Sequence, residues 1–156
     1  MKRKGWAVLL LCTGVVLLPR AARAALSERE QQFISQTTEA MDRISAAAVD
    51  VTSCMQQSKS PWLDCMSQAA EFKSVAEANL EVFGNARAPR GLEPFRLKVV
   101  AAFRSSSRAG QLMLDGLRKQ SASNLVAFQE ENKESARLFM DSQKELQRVL
   151  NKDSRR

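Results

Sequence analysis

After Pro94 the sequence runs to its end without another proline, and before it the prolines stand at 19, 61 and 89. Proline removes a backbone donor and crowds the preceding turn, so its positions mark where a long helix cannot continue. The intervals between them carry apolar residues at helical period. Ile34, Met41, Ala48 and Met55 recur every seven positions, with Thr37, Ile44 and Val51 between them, which makes one stripe on a helix. Ser27-Glu28-Arg29-Glu30 stands ahead of that stripe as a capping box, the serine hydroxyl taking the N3 amide while Glu30 reaches back. A helix is expected from Ser27 to Gln57, about 46 Å long at 1.5 Å per residue. Gln56-Gln57-Ser58-Lys59 is read as the turn after it.

Ser60-Pro61 opens a second helix, with serine as N-cap and proline at the first helical position, where its missing N–H costs nothing. Its stripe is Trp62, Cys65, Ala69, Phe72, Ala76, Leu80 and Phe83, and Gly84 is expected to end it in a left-handed conformation. Residues 85–93 hold Pro89, Arg90 and Gly91 and read as a loop. Beyond Pro94, Leu97, Val100, Phe103, Leu114 and Leu117 mark one stripe, and Leu125, Phe128, Phe139, Leu146 and Val149 another. A single helix from Pro94 to Asn151 would stretch about 87 Å and leave much apolar surface without a partner. The polar run Lys119 to Asn124 is therefore read as a break near Ser121, with Ser121 or Ser123 as N-cap. Neither an alternating strand pattern nor a glycine-rich phosphate loop occurs. The fold class predicted is all-α: an antiparallel bundle of about four helices, or three with a long bent last helix, its N-terminal hairpin pinned by one disulfide. Helical hairpin 27–84, loop 85–93 and C-terminal helices 94–151 form one domain spanning 25–156.

The first 24 residues read differently. Lys2, Arg3 and Lys4 precede an uncharged run from Trp6 to Leu18, and Ala22-Arg23-Ala24 places small residues at −3 and −1 of a cleavage point. This is the pattern of a signal peptide cut after Ala24. The apolar run falls well short of the ~20 residues that a membrane crossing needs. The segment carries five of the 24 basic residues and no acid, so the overall net charge of +7 falls to +2 without it. Much of the basic character is thus a matter of targeting, and the case for a nucleic-acid partner loses its main support. A periplasmic or secreted location is expected.

Cys54 and Cys65 are the cysteines that remain after processing, and an even count in an exported chain reads as a disulfide. The turn between residues 59 and 60 lies midway between them, so an antiparallel hairpin sets them face to face. The same register places Ala48 opposite Phe72, Ile44 opposite Ala76 and Met41 opposite Leu80, large against small at successive layers. Closing so short a loop adds on the order of 2–3 kcal/mol through the unfolded chain. Redox exchange and copper binding are the functional alternatives. Redox pairs usually sit on one turn as Cys-x-x-Cys. Cys54-Met55 and Cys65-Met66 duplicate a soft-ligand pair, but adjacent helical residues diverge by about 100°.

The chain has no histidine and no tyrosine, which removes imidazole-based nucleophile activation and imidazole metal ligation. Glu130, Glu131 and Glu134 cluster among Lys133 and Arg137 at ordinary surface spacing. Ser105-Ser106-Ser107 lies between Arg104 and Arg108 with no base close in sequence. No cofactor, metal site or enzymatic activity is expected. Charge is unevenly spread: residues 25–86 carry four bases and nine acids, whereas residues 87–119 carry eight bases and two acids. Arg104, Arg108 and Arg118 share a helical face, with Arg87 and Arg90 in the loop ahead. These five are the candidate contacts for an anionic partner, such as lipid head groups or cell-wall polymer. The structural alternative is that the basic helix complements the acidic hairpin. The function expected is that of an exported helical binding protein, an adaptor or chaperone-like module acting through helix-face contacts with a protein partner or a second copy. Binding of anionic envelope components through 87–119 is the alternative, and a copper carrier or enzyme is the remote one.

Overall fold

A computed structural model of the chain describes residues 26–153; the segment 1–24 read as a signal peptide lies outside them. Among the described residues there are five helices and no strand. They are α1 (Glu28–Gln57), the short α2 (Pro61–Asp64), α3 (Met66–Asn85), α4 (Glu93–Lys119) and α5 (Ala122–Asp153). None is long and apolar enough to cross a membrane.

The capping box forms as its spacing requires. Glu30 N–H donates to Ser27 Oγ at 3.3 Å, and Ser27 N–H donates to Glu30 Oε2 at 2.8 Å. The break near Ser121 is present too. Gln120 takes left-handed angles (φ 50°, ψ 39°), the Ser121 N–H reaches the Gly116 carbonyl at 2.9 Å, and the Gln120 N–H reaches that of Leu117 at 3.3 Å. This paired closure satisfies two carbonyls that a helix end leaves open. Ser121 then caps α5, its Oγ accepting from the Asn124 N–H at 3.4 Å.

Four local expectations are corrected. The helix opened by Pro61 is interrupted at Cys65, which leaves helical angles (φ −101°, ψ 8°), although Ala69 N–H still reaches the Cys65 carbonyl at 3.1 Å. Ser60 makes no side-chain cap there; Ser58 Oγ instead accepts from the Ser60 N–H at 2.9 Å. Gly84 does not end α3 in a left-handed conformation, since the helix runs on to Asn85 and Ala86 is extended. Gly91 is the glycine with positive φ, 89°, in a turn closed by Leu92 N–H to the Pro89 carbonyl at 3.1 Å. Leu97 is 55% exposed, because the buried face of α4 is set by Phe95, Val99, Phe103 and Met113 instead.

The long helices run up and down in sequence order, as the contacts between them show. Cys54 meets Cys65 and Phe33 meets Phe83 across α1 and α3. Phe83 meets Phe103 across α3 and α4, and Phe103 meets Phe139 across α4 and α5. One contiguous core draws on all four, with Phe72, Phe95, Phe103, Ile44 and Leu146 fully or almost fully buried. α4 packs most extensively against α5 and next against α3, while α1 packs against α3 less extensively. Ser106 and Ser135 share a buried hydrogen bond, 2.6 Å between oxygens, across the α4–α5 seam. Ser135 also donates to the Ala102 carbonyl at 3.4 Å. Gly110 of α4 lies directly against the backbone of Lys73 in α3.

Candidate functional site

Cys54 and Cys65 form a disulfide with Cα atoms 5.7 Å apart. It joins the end of α1 to the residue between α2 and α3. Cys65 is fully buried and Cys54 partly so, with Met55 and Met66 packed beside the core. Both thiols are thereby used, so neither sulfur stands as a thiolate beside the methionines.

The five candidate arginines divide into two groups. Arg104, Arg108 and Arg118 lie exposed along the outer face of α4. Among the described residues every ion pair joins groups three or four positions apart on one helix, so none of the three is paired with the acidic hairpin. Arg87 and Arg90 are exposed in the loop 86–92, but Arg87 alone faces inward, lining a small cavity of about 200 Å³ with Arg29, Gln32, Phe33, Gln36 and Pro89.

That cavity adjoins a larger one of about 530 Å³ between α1 and α3. Gln36 lines both, and the Phe33 and Phe83 rings, 6.1 Å apart, stand one in each lining. The α1 wall of the larger space is Gln36, Glu39 and Arg43; the α3 wall is Val75, Ala78, Asn79, Val82 and Phe83. Together they form a trough along the outside of the hairpin. Long polar side chains stand on the α1 wall and mainly apolar ones on the α3 wall. Asn79 is buried yet satisfied, its amide donating to the Val75 carbonyl at 2.8 Å.

The mouth of the loop is held by a network that charge counting did not anticipate. Arg96 donates to the Phe83 carbonyl at 3.0 Å and the Gly84 carbonyl at 3.2 Å, and its other nitrogens grip both Glu93 oxygens at 2.9 and 2.6 Å. The hydrogen bond from Arg96 holds the Glu93 carboxyl below its ordinary value, and the same bond raises Arg96. The carboxylates of α5 have their own partners. Glu130 pairs with Lys133 and Glu134 with Arg137, while Glu131 accepts from Ser105 Oγ at 2.8 Å. Ser105 and Ser106 are therefore buried parts of a helix seam.

Arg29 and Arg43 were not singled out by sequence reasoning. The signal was present in the recurrence of Arg29, Gln36 and Arg43 every seven residues, a polar stripe parallel to that of Ile34, Met41 and Ala48. No family model, curated protein or solved structure matches the chain.

Proposed function

We propose that the chain is an exported, non-enzymatic helical binding protein: an adaptor or chaperone-like module that works through helix-face contacts with a protein partner. The observation that carries this reading is the trough between α1 and α3, whose α3 wall is mainly apolar and includes the exposed Val82. A groove between two helices with one apolar wall is a form that helix-in-groove recognition uses. The disulfide supports export, and we read it as the clamp that keeps α1 against α3 so that the groove has fixed walls. A second reading, binding of an anionic lipid or cell-wall polymer, is favoured by the exposed and unpaired Arg104, Arg108 and Arg118. The test pairs a pull-down from an envelope extract with sedimentation on anionic vesicles, each at low and high salt. A protein partner retained at high salt supports the first reading. Vesicle binding that collapses with salt and no protein partner supports the second.

A further inference from the structure

The trough has a charge pattern that its surroundings lack. Residues 25–86 carry four bases and nine acids, yet the trough takes two of those bases, Arg29 and Arg43, adds Arg87, and includes a single acid, Glu39. The cations stand at its two ends, Arg29 with Arg87 at one and Arg43 at the other, about 21 Å apart along α1. Among the described residues none of the three is in an ion pair. Between them the α3 wall presents Val75, Ala78, Val82 and Phe83, and Val82 is 61% exposed.

We infer that the trough docks an amphipathic helix of a partner protein, about two heptads long, with an apolar stripe over Phe83, Val82 and Val75 and a carboxylate at each end. This rests on the adaptor reading and names its site and partner chemistry. Apolar anchors at i, i+3 or i+4 and i+7 are what a groove between helices accepts. The end charges set register and direction, while the buried stripe carries the affinity. A single-headed anionic amphiphile such as a fatty acid would use one cationic end; two ends about 21 Å apart match a segment that is acidic at both.

The test uses the disulfide-bonded chain and two labelled synthetic peptides of about 14 residues that share a leucine stripe. One carries glutamates at both ends and the other lysines. By fluorescence anisotropy the glutamate peptide should bind at least about tenfold tighter, and the double variant Arg29→Glu/Arg43→Glu should invert that preference. Val82→Glu, a surface change whose fold is checked by circular dichroism, should weaken both peptides at least about tenfold, while Arg104→Glu should change nothing. Equal binding of the two peptides, indifference to Val82→Glu, or displacement by a fatty acid would overturn the inference. A photo-crosslinker at Val82 and another at Met140 of α5 separate this failure from that of the adaptor reading. Crosslinking at Val82 to an acid-flanked amphipathic helix supports the trough. A protein caught at Met140 alone sinks the trough and leaves an adaptor; none at either position sinks both.

Discussion

A Cβ at Gly110 would stand 2.7 Å from the Lys73 Cα, 2.9 Å from its Cβ and 3.1 Å from its nitrogen. Those are atoms at the axis of a neighbouring helix, which cannot move aside without shifting α3. Alanine would gain about 1 kcal/mol of helix propensity, but overpacking costs about 1–3 kcal/mol. Gly110→Ala is therefore expected to lower stability by a net of up to about 2 kcal/mol, read as a fall in the denaturant midpoint with unchanged slope. Gly116→Ala would meet the tip of Leu125 at 2.7 Å, and a rotatable tip gives way, so its loss should be smaller. Gln120 poses the reverse case. It holds a left-handed conformation (φ 50°) that costs a residue with a Cβ about 1–2 kcal/mol, more than glycine's entropic cost of about 0.5–1 kcal/mol, so Gln120→Gly should raise stability. If it lowers the melting temperature, the hairpin of α4 and α5 depends on the glutamine side chain itself. In the sequence both glycines register only as costs to helix propensity. What they permit is a distance between helices, and no local pattern encodes that.

At the scale of the elements, boundaries set by nearby residues were legible, including the end of α1 at Gln57 and the break before Ser121, and those set by distant contacts were not. Ser27 with Glu30, Pro61, and Ser121 all act within one turn of themselves, so spacing alone announces them. The end of α3 is fixed from 13 residues away, by Arg96 on the Phe83 carbonyl, which is why Gly84 was a plausible but mistaken stop. The Arg96 guanidinium joins two elements through charge-assisted hydrogen bonds, and Arg96→Ala is expected to cost on the order of 1 kcal/mol. The Glu93 contribution carries a pH signature. Its carboxyl is lowered in the folded state, so the stability it adds is fully present above the ordinary glutamate value and is lost as pH falls through the lowered one. Melting curves of wild type and Glu93→Gln should therefore differ at neutral pH and converge in acid. A gap that stayed constant down to strongly acidic pH would show that Glu93 acts through packing and not through its charge.

For the molecule as a whole, the helical class and the cysteine pairing could be read from periodicity and from the symmetric placement of Cys54 and Cys65 about the turn. The trough could not, because it depends on which side chains of α1 and α3 the packing sets face to face. The basic face of α4 was legible as charge but ambiguous in purpose, and its surroundings now separate the two purposes. Arg104 and Arg108 are exposed and among the described residues neither is in an ion pair. Reversing both to glutamate should leave the thermal melt unchanged to within about 0.5 kcal/mol per substitution. Arg118 differs: it lies in the last turn of α4, where a cation complements the exposed carbonyls. Adding Arg118→Glu should cost a further 0.3–1 kcal/mol, roughly, and salt should shrink that loss because the helix-end field is screened. If the double variant is already destabilised and salt restores it, α4 does complement the acidic hairpin at a distance. If instead it melts normally but no longer sediments with anionic vesicles that hold the wild type, the face is a binding surface, worth about 1 kcal/mol for each basic group near the membrane. Normal melting together with no vesicle binding by the wild type leaves these arginines as a solvated face.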